Sequence, residues 1–354
     1  EDTETIVSGG EAAAAGGFTR IACMPNTSPA IDSVGTIDLI KREAARQAVH
    51  IHPIAAVTIG RTGERLTELH ELYQAGAVGF SDDGSPLVDT EIMRRALEYT
   101  SDFQAVICEH AEDPYLFTGV MHEGMVSTRL GLAGIPSLCE IIMAERDIRL
   151  SHYTGGRLHL CHISAAETVG LVREAKKMGI KVTAEVTPHH LFLNDEAVIG
   201  YSTNFKMNPP LRTEEDRIAL VEGLLDGTID CIASDHAPHS AEEKEHDFNT
   251  APFGVIGLET TLGMVLTELV HKGRMDWNTL VDRMSIAPRR VLNLENAKIA
   301  EGEPAELSII DPDAEWTVEP AEFRSFSRNT PFAGRHLKGR ARGIISKGRL
   351  ITNY

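Results

Sequence analysis

Basic residues are scarce in this chain: 34 Lys and Arg stand against 52 Asp and Glu, leaving a net charge of -18. That sign repels a phosphate backbone, and no dense Lys/Arg tract offsets it, so nucleic acid is not expected as a partner. No apolar run reaches the length needed to cross a bilayer. The opening Glu1-Asp2-Thr3-Glu4 also lacks the basic and apolar regions of a secretory leader. The five cysteines, Cys23, Cys108, Cys139, Cys161 and Cys231, make no CxxC pair. Four of them lie inside apolar, β-rich runs, where reduced, buried thiols of a cytoplasmic protein are expected. Internal repeats, low-complexity runs and linker-like tracts are lacking as well. What is there is a 354-residue globular chain, 42% hydrophobic, able to bury one large core and a small satellite domain.

Short β-like runs alternate with helical stretches through most of the sequence, the pattern of a parallel sheet with crossover helices. The candidate strands are Phe18–Met24, His50–Thr58, Ala77–Ser81, Gln104–Glu109, Arg157–Cys161, Lys181–Thr187 and Ile229–Ser234. Segments with apolar 3–4 spacing separate them, among them Leu66–Tyr73, Glu91–Tyr99, Glu167–Lys177, Arg217–Leu225 and Leu258–His271. A (β/α)8 barrel needs one more strand than these seven runs supply. Because the chain opens on the helical stretch Ser8–Gly16, the first strand is expected to precede Glu1. After helices around Trp277–Leu294 the texture changes to short strands at Ala305–Ile310, Ala341–Ser346 and Arg349–Thr352. The expected organisation is a barrel over 1–296 and the C-terminal part of a small β domain over 297–354.

Chemistry in parallel barrels sits at the C-terminal ends of the strands, so polar residues just past an apolar run are the informative ones. Asp82-Asp83-Gly84, His110, His162, His189-His190 and the group Asp235, His236 and His239 all follow such runs, and Asn26 ends a sixth. Imidazole and carboxylate side chains converging from separate strands suit a divalent metal, zinc above all. Taken singly, Asp82-Asp83-Gly84 is an ordinary turn, His110 a helix-entry residue and His162 a core histidine. Asp235 is harder to set aside, because a carboxylate closing an apolar strand needs a partner for its charge. Four such coincidences at one end of four strands favour a shared site. His50-Ile51-His52 has the spacing of a metal pair but opens its strand, which turns it to the far end of the barrel. His246 reads as solvated or part of a lid over Ser240–Thr250, and His152 and His159 have no comparable partners.

With these residues in hand, the chain resembles the class I dihydroorotases over nearly its whole length. The matching stretches are GGFTRIACMPNTSP, GAVGFSDDGSP, EHAED, LHLCHIS, EVTPHHL, NPPLR, IDCIASDHAPH and APFGVIGLET, in that order. The resemblance implies a distorted (β/α)8 TIM barrel of the amidohydrolase type with a small β-sandwich domain. It also implies the reversible cyclisation of N-carbamoyl-L-aspartate to L-dihydroorotate in pyrimidine synthesis. By motif, Asp83, His110, His162 and Asp235 are the expected ligands of one or two zinc ions per subunit, with Asp235 also moving the proton. Asn26, Asn208 and His239 are expected to contact substrate, joined by backbone groups near Pro252 and Gly254. Spacing alone does not tell Asp82 from Asp83.

Two departures follow. The family's HxHxR motif, which supplies two further histidines and an arginine for the substrate carboxylate, is expected just ahead of Glu1, together with the first barrel strand and the early sandwich strands. By itself the 354-residue stretch is therefore expected to be inactive or weakly metal-bound. In Pro188-His189-His190, many relatives carry Asn before the second histidine, which leaves His189 without an inherited role. Zinc lowers the pKa of a bound water to about 7 and polarises a carbonyl, the two things a cyclic amide requires. The resemblance further implies a homo-oligomer, a small-molecule substrate, no membrane association, and aspartate transcarbamoylase as a candidate associating protein. Hydantoinases, dihydropyrimidinases and allantoinases are the rival reading, but they bridge two metals with a carboxylated lysine where AVGFSDDG offers aspartate. A catalytically inactive homologue with a structural role is the other rival.

Overall fold

The computed structural model describes residues 3–353, so Glu1 and Asp2 of the acidic opening lie outside the described residues. The strands in chain order are β1 Arg20–Cys23, β2 His50–Pro53, β3 Val106–Glu109, β4 Met121–His122, β5 Gly134–Ile135 and β6 Arg157–Leu160. They are followed by β7 Val182–Val186, β8 Cys231–Ile232, β9 Leu307–Thr317, β10 His336–Ser346 and β11 Arg349–Thr352. β1 pairs in parallel with β2, from Arg20 opposite His50 to Cys23 opposite Pro53. Phe80 bridges Ala55 on one side and Ile107 on the other. It thereby joins that pair to the parallel run β3-β6-β7-β8. All seven runs expected from sequence thus occupy successive parallel positions, with Ala77–Ser81 present as a bridged segment.

The sheet curls into a barrel wall, because residues of β1 and of β8 line one central cavity together with His159 and Glu185. Its two faces follow the period of two along each strand. On β6, Leu158 and Leu160 pack outward among helix residues such as Met143, Val169 and Val172. Just past that strand, Cys161 joins an inner cluster with Cys108, Cys231, Ile54 and Val106. All five cysteines are free.

The crossover helices start and stop where their end chemistry dictates. Asp89 caps Thr90–Ser101 by accepting from the backbone N–H groups of Glu91 and Ile92. Thr213 and Asp216 form a reciprocal capping box on Glu214–Asp226, which ends at left-handed Gly227. The apolar stretch Leu258–His271, read as one helix, begins at Thr261 and widens into a π turn over Leu266–Val270. The 17-residue helix Leu138–Thr154 and the short β4-β5 ladder were not legible as separate elements in the sequence.

In the tail, β9, β10 and β11 form an antiparallel sheet with register shifts at Lys338/Arg340 and Ala341/Gly343. This sheet lies against helix Thr261–Val265 at Gly263, where a Cβ would come 2.9 Å from the Trp316 ring. Only glycine permits that approach. A second tie is ionic: Arg20 grips Glu306 with Nε at 2.7 Å and Nη2 at 2.6 Å, and His50 Nε2 lies 2.8 Å from the same carboxylate. His52 Nε2 faces Arg20 at 3.4 Å, and burial, then Arg20, hold its pKa down at about 4. His50 therefore serves the tie to Glu306, next to the small sheet, and His52 faces Arg20.

Candidate active site

The mouth is built where strands end. Asp83 follows the bridged segment at Phe80, His110 follows β3, His162 follows β6 by two residues, and Asp235 follows β8. One donor atom each from Asp83, His110 and His162 lies within 4.8 Å of the others. His110 Nδ1 and His162 Nε2 are 3.1 Å apart, and Asp83 Oδ1 is 3.6 Å from His162 Nε2. Side chains from three separate strand ends thus meet at one point.

Asp235 stands beside this group rather than inside it, with Oδ2 4.0 Å from His189 Nε2. It lines the same cavity as Asp83 and His162. Burial raises its carboxyl pKa to about 6, against the pull of His162 and with the help of Asp83. His162 shows the opposite balance: burial works to lower its pKa, but contact with Asp83 and the field of Asp235 raise it to about 9. Both residues sit in the left-handed region, His162 at φ 34 and Asp235 at φ 42. Such backbone costs about 1–3 kcal/mol at a non-glycine residue and collects at functional sites.

Two buried imidazole nitrogens have no hydrogen-bond partner, His162 Nδ1 and His189 Nε2. An unmade bond at a buried polar atom costs about 1–3 kcal/mol. His189 Nε2 faces Asp235 Oδ2 at 4.0 Å and His162 Nε2 faces Asp83 Oδ1 at 3.6 Å; imidazole nitrogens beside carboxylates are the donor set a divalent cation takes, so these residues fit a metal. His189 is 1% exposed, and burial holds its pKa well below the ordinary range. It is a neutral imidazole at the mouth whose Nε2 has no hydrogen-bond partner among the described residues. His190, by contrast, is satisfied by Thr187 Oγ1 at 2.8 Å and the Pro209 carbonyl at 2.9 Å, which fixes the loop carrying Asn208.

The expected substrate contacts surround the group. Asn26 Nδ2 donates to Asp83 Oδ2 at 3.2 Å. Asn208 Nδ2 lies 2.6 Å from Glu112 Oε2 and 3.2 Å from His110 Nε2. His239 Nε2 donates to the Phe253 carbonyl at 2.7 Å. Gly254, at φ 127, leaves room that a Cβ would take, 2.8 Å from Ala237 Cβ and 3.0 Å from His239 Nε2.

Three residues with roles here went unassigned from sequence. Glu112 holds both His110 and Asn208; its place inside EHAED was the available signal. Arg61 donates to the carbonyls of Asp82 and Asp83. Lys244, 7% exposed, donates to the carbonyls of Pro252 and Gly254, each at 2.9 Å, and of Lys206 at 3.3 Å. Burial and then Lys206 lower its pKa to about 8. Within the segment expected as a lid, Ser240 caps the turn Ala241–Lys244, and Asp247 accepts from the N–H groups of Asn249 and Thr250.

A parallel barrel with a small antiparallel sheet and a rim of histidines and aspartates is the make-up of the amidohydrolase-type hydrolases of cyclic amides. Its fold matches the L-hydantoinase (dihydropyrimidinase) of Arthrobacter aurescens, with a TM-score of 0.88 at 26% identity, over 99% of this chain and 81% of that one. It likewise matches the dihydropyrimidinase of Brevibacillus agri NCHU1002, with a TM-score of 0.85 at 21% identity, over 99% and 80%. A family model described as Dihydro-orotase-like matches residues 1–168. The chain is 51% identical to the dihydroorotase of Pelotomaculum thermopropionicum over 352 residues, 99% of this chain and 82% of that protein. It is 48% identical to the dihydroorotase of Anaeromyxobacter sp. (strain K) over 355 residues, 99% and 82%. The chain belongs to the dihydroorotase family.

Proposed function

We propose that the protein is a zinc-dependent dihydroorotase that interconverts N-carbamoyl-L-aspartate and L-dihydroorotate in pyrimidine synthesis. The observation that carries this reading is the meeting of Asp83, His110 and His162 donor atoms within 4.8 Å of one another, with Asp235 alongside. These four residues would hold one or two zinc ions. Bound there, zinc supplies Lewis-acid polarisation of the ring carbonyl and acidifies water.

The chain's own groups do the rest. In the ring-opening direction water adds to the ring carbonyl, the C–N bond breaks, and the ring nitrogen gains a proton. Asp235 takes the proton from water and returns it to the departing nitrogen. Half-buried at the cavity with Oδ2 4.0 Å from His189 Nε2, that carboxylate is placed for both halves of the task. Asn26, Asn208 and His239 would fix the polar edges of the ring, with the backbone around Pro252 and Gly254 closing one side. Glu112 keeps Asn208 and His110 in place.

The barrel would span 1–296 and the small domain 297–354. We assign the protein to the cytoplasm, as a homo-oligomer with aspartate transcarbamoylase as a candidate companion. Turnover of the intact protein with dihydroorotate, hydantoin and allantoin side by side tests the assignment. Preference for dihydroorotate supports it, and preference for hydantoin transfers the site to the hydantoinases. Zinc in the protein without turnover of any of the three would favour an inactive, structural homologue.

A further inference from the structure

His162 and Asn208 stand on separate loops, and a buried set of side chains ties those loops together. Ser164 follows His162 by two residues, and Arg212 follows Asn208 by four. Arg212 Nε donates to Ser164 Oγ at 3.1 Å, and Ser164 Oγ donates in turn to Glu140 Oε2. Arg212 is 4%, Ser164 0% and Glu140 3% exposed. We propose, on the roles given above to His162 and Asn208, that Arg212, Ser164 and Glu140 are positioning residues. Together they form a brace that sets the metal side of the mouth against the substrate side.

The brace has one possible polarity. A guanidinium carries only donors, so Ser164 Oγ accepts from Arg212 and its single proton goes to the Glu140 carboxylate. One hydroxyl thus joins a buried cation to a buried anion. Glu140 Oε1 also accepts from the N–H groups of Ser164 and Ala165, each at 3.1 Å, and Oε2 from the Ser164 N–H at 3.0 Å. Helix Ala166–Lys177 begins at Ala165, which has no side chain able to cap it. Carboxylates from two other helices serve that start instead, Glu140 as above and Asp216 on the Ala166 N–H at 2.8 Å. Negative charge is favoured at such an end. Arg212 is fixed from its other side, with Nη1 donating to the Ile135 carbonyl at 2.8 Å and facing His122 Nδ1 at 3.3 Å.

Short, stiff stretches of chain carry this order to the mouth. Only Ile163, 1% exposed, separates Ser164 from His162. Between Asn208 and Arg212 lie Pro209, Pro210 and Leu211, the last 2% exposed, and the Pro209 carbonyl is held by His190. Proline fixes φ, so a shift of Arg212 passes to Asn208 instead of being absorbed. Misplacement of a positioned group by about 1 Å can cost about 10²-fold in rate.

Two variants of the intact protein break the brace without touching the mouth. Ser164→Ala removes the bridging hydroxyl. Glu140→Gln keeps the shape, but Oε1 is committed to two N–H groups, so the new amide turns its own donor towards Ser164 and the hydroxyl proton loses its acceptor. Zinc affinity, measured by chelator competition, reads the His162 end and is expected to fall about tenfold in each, the low end for groups that orient a metal-binding histidine. At saturating zinc, kcat/KM reads the Asn208 end and is expected to fall about 10–10²-fold. The same changes made in Asn208→Ala should cost no more than about twofold further, because the brace acts through that residue. Turnover is read with the cyclic amide the parent prefers, so a parent that prefers hydantoin overturns the assigned substrate and not the brace. Lower urea midpoints with zinc affinity equal to the parent's, or equal losses of kcat/KM with and without Asn208, would overturn the brace and leave the assigned function standing.

Discussion

Asp82 and Asp83 are neighbours in the chain whose carboxylates serve different partners. Asp82 is 1% exposed and accepts from the Val57 N–H at 2.9 Å, the Thr58 N–H at 3.1 Å and the Thr58 hydroxyl. Asp83 turns to Asn26 and the His110–His162 pair. The structure supplies the distinction that spacing could not. Asp82→Ala should therefore lower stability by roughly 3 kcal/mol, the scale expected when buried N–H donors lose their acceptor. Asp83→Ala should remove bound metal with little loss of stability. Denaturant unfolding and metal analysis of the two variants check this pair of outcomes.

Asp235 lies next to the three-donor group without belonging to it. In Asp235→Asn of the intact protein we expect kcat to fall by about 10²–10⁴, the range for removal of a general acid-base group, while zinc held by the other donors is retained. Turnover close to that of the parent would remove Asp235 from the proton path.

Lys244 ties the loop of Pro252 and Gly254 to the Lys206 carbonyl. Loss of this clamp in Lys244→Met should raise KM about tenfold and lower kcat less, since the role proposed for the loop is to orient substrate rather than to react with it. The parent should carry a pH dependence of the same origin. Above about 8 the amine loses a proton and can no longer donate to all three carbonyls, so KM rises with pH. Lys206 pushes that pKa down and Glu243 pushes it up. Steady-state kinetics from pH 7 to about 9 should reveal this limb in the parent and not in the methionine variant.

The barrel was legible because buried parallel strands read as short apolar runs, and all seven were found in their places. Where the reading failed, the cause was physical. Leu138–Thr154 buries polar residues such as Glu140 and Asp147, which blur its apolar stripe. Glu140 is satisfied by Ser164 and the Ala165 N–H across 24 and 25 residues of sequence, a pairing that no local pattern contains. The mouth was legible for the same reason as the strands, since Asp83, His110 and His162 each follow one. His159 read as partnerless because Glu185, its ion-pair partner, lies on another strand.

Asp147 offers a stability test away from the chemistry. It is fully buried; Oδ1 meets Arg146 at 2.7 Å, Oδ2 has no hydrogen-bond partner, and burial outweighs the arginine to raise its pKa to about 7. A carboxyl raised on folding adds stability that is full below its unfolded value and is lost as pH climbs through the folded one. Asp147→Asn should thus match or fall below the parent near pH 4 and gain on it steadily towards about 7 and above. Urea midpoints at the two ends of that window decide it, and parallel pH profiles would contradict the burial argument.

The central claim is that Asp83, His110 and His162 enclose a metal. Anomalous diffraction at the zinc edge on crystals of the intact, zinc-loaded protein measures it directly. We predict a peak at the mouth, about 2.0–2.2 Å from the donor atoms of these three residues. Ordered side chains at the mouth with no anomalous density among them would contradict the account.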